Sequence, residues 1–359
     1  IERIEILKGA SAATLFGTEA SNGVIQIFTK KGKTGKPKFN FKTTQGFINF
    51  PKGKVADNTG WTTDATRLAN MSSVLGRTVR PYELVSFNAM EELFEQGLSN
   101  TLNMNISGGT DFITYFTSAR YSYTDGPFGG KNRPGYLDGQ KTLATDTDEL
   151  VQFNLNLNVN PSDKLSIRFN SGYTSRKSTT PENNNNIYGV ASLAQFGKPE
   201  LITDNNLSGV IAFATVDESL QIQTESRVNK YTGSAKINYY PIENLKIDAT
   251  FGVDYSSQIS NKFLPFGWNI DGFSSSRTTG ELTVDTRNFL AKSAEVKINL
   301  NNEFGDFKST LIVGGQFVGQ KTRVVGVSGL EFPGPGFEVA GAAAVKNTTE
   351  SVVEVINTG

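Results

Sequence analysis

Residues 151–160 read VQFNLNLNVN, and this run constrains the chain more than any other. Side chains alternate across an extended strand. Val151, Phe153, Leu155, Leu157 and Val159 therefore share one face, and Gln152, Asn154, Asn156, Asn158 and Asn160 share the other. One face is wholly apolar and the other wholly amide. A helix would smear both sets around its circumference.

The pattern recurs. After Pro161-Ser162-Asp163, Leu165, Ile167, Phe169 and Tyr173 oppose Arg168, Asn170, Thr174 and Arg176. Tyr231, Ala235, Ile237 and Tyr239 oppose Thr232, Ser234, Lys236 and Asn238. Then Leu245, Ile247, Ala249, Phe251, Val253 and Tyr255 oppose Lys246, Asp248, Thr250 and Asp254. Residues 101–109 pair by pattern with 112–124, and 290–303 with 307–322; a single strand is expected at 38–49. These make nine strands, with the start of a tenth at 351–356.

Connection lengths alternate too. Gly109-Thr110-Asp111, Pro161-Ser162-Asp163, Pro241-Ile242-Glu243-Asn244 and Gly305-Asp306 are short turns. The long links run over about 50–100, 125–149, 177–230, 260–288 and 323–350. Outer-membrane barrels have short periplasmic turns and longer extracellular loops. No apolar run approaches the ~20 residues of a membrane-spanning helix, but alternating barrel strands dilute hydropathy and escape that test.

Alternation alone fits a soluble β-sandwich as well as a barrel. Strand length favours the barrel, since runs such as 164–176 and 245–259 exceed the ~5–6 residues usual in globular proteins. So do the aromatics near strand ends, Tyr121, Tyr123, Tyr173, Tyr239, Tyr240 and Tyr255, where an interfacial girdle would lie. Within the first long link, residues 81–97 read as a helix, with Pro81 at its start and Gly97 at its end.

Composition narrows the function classes. The 359 residues carry 35 basic and 35 acidic side chains, without the basic excess of a nucleic-acid surface. There is no Cys and no His, which removes thiolate chemistry and the commonest general base and zinc ligand. Paired carboxylates stay available for catalysis, but no catalytic constellation presents itself, and no cofactor or metal site is expected. Asp146, Asp148 and Glu149 lack the spacing of a calcium loop and read as a solvated turn. The first residue is Ile1 and the last strand is unfinished, so the chain is expected to be a fragment.

The first 32 residues carry a resemblance. Ile1-Glu2-Arg3-Ile4-Glu5, Leu7-Lys8-Gly9, Leu15-Phe16-Gly17, Asn22-Gly23-Val24-Ile25 and Thr29-Lys30-Lys31-Gly32 resemble the closing stretch of the plug of TonB-dependent outer-membrane transporters, SusC/RagA branch. The resemblance implies an all-β fold: the end of a plug at 1–36 and the first part of a transmembrane antiparallel barrel at 37–359, about 9–10 of ~22 strands. It implies TonB-dependent import of an oligosaccharide or peptide across the bacterial outer membrane. Expected partners are the TonB–ExbB–ExbD complex, a SusD-like lipoprotein lid, outer-membrane lipid and a small-molecule or oligomeric substrate, without nucleic acid. A siderophore or cobalamin receptor of the same superfamily is the near alternative; a soluble sandwich adhesin or carbohydrate-binding module is the distant one.

Site expectations follow from the resemblance. Arg3, Glu5 and Lys8 would form the contact between plug and barrel, and Gly9, Gly17 and Gly23 the plug's tight turns. Lys30, Lys31, Lys33, Lys36 and Lys38 would form a solvated hinge, with residues 29–38 on the periplasmic side and the next strand rising outward. Trp61, Phe128, Tyr188, Phe266, Trp268 and Phe273 fall in the long links. They would stack on a solute, touch a lid, or pack among themselves.

Overall fold

The computed structural model describes residues 2–8, 22–128, 145–183, 186–203, 206, 208–210, 213–268 and 278–359. A short hairpin comes first, β1 (Arg3–Leu7) against β2 (Val24–Phe28). Then comes β3 (Gly35–Ile48). Two three-residue strands, β4 (Asn58–Gly60) and β5 (Val85–Phe87), pair with each other in the first long connection. The remaining strands are β6 (Gly97–Gly109), β7 (Ile113–Asp125), β8 (Thr147–Ser162), β9 (Leu165–Pro181), β10 (Gln223–Ile242), β11 (Leu245–Leu264), β12 (Glu281–Phe304), β13 (Phe307–Leu330) and β14 (Val345–Thr358).

Ten of these strands form one antiparallel meander, in the order β14-β13-β12-β11-β10-β9-β8-β7-β6-β3. The sheet is open, with β3 and β14 at its edges. All short turns lie at one end and all long connections at the other, as the alternating lengths require. Gly305, at φ +61°, supplies the left-handed residue of the two-residue hairpin between β12 and β13. Register shifts fall beside the short turns, between Val159 and Ser162 and between Tyr239 and Ile242. β3 enters opposite Gly109, at the short-turn end, where the phase of the connections puts it.

The strands climb further than their periodicity announces. β10 and β11 have 20 residues each, and β12 and β13 have 24 each. Residues 223–230, 260–264, 281–288 and 323–330, read above as long links, are strand. These segments are polar or mixed on both faces, so no alternation marks them; the backbone ladder carries them upward.

The apolar face is uncovered. Phe39 is 75% exposed, Phe153 46% and Phe251 47%. A sandwich would bury this face under a second sheet about 10 Å away. Among the described residues nothing covers it.

Buried packing lies instead at the long-connection end. Ala89, Met90 and Leu93, with Val190, Leu193, Val216, Leu220, Ile222, Leu264 and Trp268, form a cap core built from three connections. Helix α1 (Ala65–Leu75) starts at Asp64, which accepts from the Arg67 amide at 2.9 Å, and ends at Gly76 with φ +63°. Its Met71 joins Val79 and Val85 in a second small core. Two shorter helices follow, α2 (Val190–Gln195) and α3 (Val216–Ser219), the latter closed by a capping box between Thr215 and Glu218.

The helix expected at 81–97 is absent. Tyr82 takes φ +62°, β5 occupies Val85–Phe87, and only a 3-10 turn forms at Glu91–Leu93. Pro81 and Gly97 mislead as helix punctuation, because the segment between them must send Val85 into one core and Ala89 and Leu93 into another. Between them Asn88 donates to Val55 O and Asp57 Oδ1 and accepts from the Glu91 amide, bending the chain.

Candidate functional site in the polar wall

The polar face of the sheet is a ladder of amides and hydroxyls. Asn154 Nδ2 donates to Ser118 Oγ at 3.4 Å, and Asn170 Nδ2 to Ser234 Oγ at 3.0 Å. These are cross-strand neighbours, the spacing at which such pairs meet. A hollow of about 290 Å³ lies over Asn154, Asn156, Asn170, Thr232, Ser234 and Asp254. A second, of about 280 Å³, lies nearer the cap over Ser178, Thr180, Thr224, Ser260, Lys262 and Asp285. At its rim Lys262 Nζ meets the buried Glu182 carboxylate at 2.5 Å, joining the wall to the cap.

The link from β2 to β3 lies against this face as a strap. Asn156 Nδ2 donates to the Lys30 carbonyl at 2.6 Å and to Thr29 Oγ1 at 3.3 Å. Gly32 presses on the β7 backbone: a Cβ there would sit 2.3 Å from the Tyr115 nitrogen, so only glycine fits. The strap thus crosses from β8 over β7 to the start of β3. Lys30, Lys31 and Lys33 on it are exposed.

Arg3 and Glu5 sit on the β1–β2 hairpin. They pair with each other at 2.6 Å, both about half exposed, and the Arg3 guanidinium lies 3.7 Å over the Phe28 ring. Lys8 is exposed at the hairpin's end. Gly23 turns at φ +101°, where a Cβ would lie 2.9 Å from Leu7 O. Gly9, Gly17 and Phe273 lie outside the described residues. Asn156, which holds the strap, was not singled out by sequence; one asparagine within an amide row carries no mark of its own.

The loop aromatics divide. Trp268 is fully buried, donates from Nε1 to Glu218 O at 2.7 Å, and receives Tyr188 edge-on at 5.2 Å between centroids. Phe128 packs on Phe94 at 4.9 Å, which stacks on Phe50 at 4.3 Å. These three belong to the cap's packing. Trp61, beside Tyr82 at 5.4 Å, and Phe266 keep exposed surface. Asp148 pairs with Arg176 at 2.6 Å, Glu149 accepts from Tyr121, and Asp146 accepts from the Phe128 amide. Burial holds the Asp146 carboxyl above the usual aspartate range.

No protein-family model matches the chain. It is 25% identical over 326 residues to TonB-dependent receptor P3 of Formosa agariphila, covering 88% of this chain and 30% of that protein. It is 28% identical over 159 residues to TonB-dependent receptor SusC of Bacteroides thetaiotaomicron, covering 44% of this chain and 15% of that protein. The chain is a homologue of TonB-dependent receptors. This receptor homologue spans less than a third of the length of either relative. Its fold is that of part of the RagAB peptide transporter structure: TM-score 0.72 at 15% identity, over 99% of this chain and 43% of that one. The closed-closed state of the RagAB peptide importer superposes with TM-score 0.69 at 15% identity, over 98% and 43%.

Proposed function

We propose that this chain is the plug end and first barrel wall of a TonB-dependent importer of polar nutrients in a bacterial outer membrane. The observation that carries the reading is the sheet's inverted polarity. The apolar face is bare, and the polar face holds the strap.

The bare face has the dimensions of a membrane band. On β11 the outward residues Leu245, Ile247, Ala249, Phe251, Val253 and Tyr255 are followed by Ser257. They span about 33 Å of strand, or roughly 25 Å of height at a tilt of 35–45°, matching the apolar band of such barrels. Tyr173, Tyr231 and Tyr255 are ladder partners on three adjacent strands, a tyrosine row at the upper edge of that band. Beyond it the outward face turns ionic, with Lys177 and Arg227 both paired to Glu225.

An open sheet edge cannot face hydrocarbon, so a working barrel needs further strands between β14 and β3. The polar wall then lines the lumen, the cap roofs its extracellular mouth, and the strap hangs the plug from the wall. Hydroxyls and amides along the lumen suit an oligosaccharide or a peptide. Energy would come through the TonB–ExbB–ExbD complex, and a SusD-like lipoprotein would close the mouth, in keeping with the SusC and RagAB likenesses. The protein's work is binding and passage, not catalysis.

The experiment is uptake by cells carrying the full-length gene. The reading expects fractionation with outer membranes, detergent-dependent extraction and uptake of a labelled glycan or peptide that stops when TonB is deleted. A stable, soluble, monomeric product would overturn the membrane assignment. Uptake confined to iron-starved cells, with a ferric chelate as cargo, would overturn the nutrient class.

A further inference from the structure

Beside the strap, Lys31, Gly32, Asn156, Asn158, Arg168 and Asn170 line an open hollow of about 140 Å³. Arg168 Nε is buried there without a hydrogen-bond partner. Arg168 lies directly opposite Lys236 in the β9–β10 ladder. Like charges directly opposite on one face are destabilising, and an unsatisfied buried donor costs more still. Among the described residues neither Lys31, Arg168 nor Lys236 forms an ion pair. The carboxylates one and two strands away on the same face, Asp248 and Glu295, are engaged by Lys246 and Lys297.

We infer that this hollow is an anion site that takes a carboxylate group of a passing solute. The guanidinium of Arg168 offers the planar fork a carboxylate matches. Asn156, Asn158 and Asn170 supply amide groups on the walls, and Lys236, opposite Arg168 in the ladder though outside the lining, adds positive potential beside it. The third cation, Lys31, belongs to the strap and not to the barrel. An anion bound here joins the plug's tether to β9 and β10, so its arrival and departure change how firmly the plug is seated. The site rests on the polar face being the lumen, and it selects acidic solutes among the nutrients proposed above.

The test uses the full-length protein purified in detergent, with succinate as probe and succinamide as its neutral counterpart, titrated by saturation-transfer NMR. Wild-type protein is expected to bind succinate and to ignore succinamide. Arg168→Gln and Lys236→Gln should each weaken succinate by about tenfold or more, the scale of one charge-assisted hydrogen bond, while Arg168→Lys keeps part of the affinity. Heat-modified gel mobility checks that each barrel is folded. Should the wall variants misfold, Lys31→Gln lies outside the sheet and should weaken succinate too. Equal succinate binding by wild type and folded variants, or equal binding of succinamide, overturns the site. Succinate binding without TonB-dependent uptake of any nutrient would remove the import reading and still support the site.

Discussion

Asn156 and Lys30 are 126 positions apart, yet the Asn156 side-chain amide donates to the Lys30 carbonyl at 2.6 Å. That bond ties the plug-like hairpin's exit to the middle of β8. Gly32, seated on the Tyr115 backbone, ties the same link to β7. Under the proposed function, a link held at two points would transmit a pull on the plug to the barrel wall.

Loosening either point should release the strap. Asn156→Ala removes a hydrogen bond worth about 0.5–1.5 kcal/mol, so amide exchange over residues 30–33 should rise by about threefold to tenfold. Gly32→Ala should act more strongly, because a Cβ 2.3 Å from the Tyr115 nitrogen forces the link off the wall. Hydrogen exchange read by mass spectrometry checks both. Unchanged exchange in Gly32→Ala would contradict the placement.

The cap should unfold separately from the wall. Trp268→Ala empties the centre of the cap core and leaves the Glu218 carbonyl without its donor. A loss of about 3–5 kcal/mol is expected, and proteolysis of the long connections should quicken by more than about a hundredfold where cleavage tracks the open population. The sheet ladders do not involve Trp268, so the barrel should keep its heat-modified gel mobility.

Two carboxylates should give the cap opposite pH trends. Burial raises Asp146 above its ordinary value of 3.8, offset by the Phe128 amide and reinforced by Asp125. Its folded form prefers the proton, so the penalty for ionisation disappears as pH falls through the raised value. Glu83 is lowered from 4.5, first by the Arg80 backbone amide and then by Arg77. Its contribution is present above 4.5 and is lost as pH falls through the lowered value. On acidification the Thr147 amide, which neighbours Asp146 but donates to Thr179 Oγ1, should gain exchange protection, and the Arg80 amide should lose it. Asp146→Asn should flatten the first trend and Glu83→Gln the second.

The lower half of the wall was legible because each strand there separates an apolar from a polar face, as 151–160 does. The upper half was not, because strand tops that meet water on both sides carry no period-two signal. The first long connection misled for a related reason. Asp64 and Gly76 bracket α1 with ordinary capping signals, yet the punctuation of Pro81 and Gly97 drew the helix to the wrong segment. The strap's own residues were visible as Thr29-Lys30-Lys31-Gly32. Their partners, Asn156 and Tyr115, are set by tertiary approach, which leaves no local trace.

The central claim is that the apolar face meets lipid while the polar face meets water. Single-cysteine spin labels stepped along β11 from 246 to 254 in a cysteine-free background of the full-length protein, reconstituted in liposomes, test it most directly. Ile247, Ala249, Phe251 and Val253 should be accessible to oxygen and shielded from a water-soluble nickel relaxer, while Asp248, Thr250 and Gly252 show the reverse. Odd-numbered positions shielded from both reagents would mean that a second layer covers the apolar face, and would contradict the account.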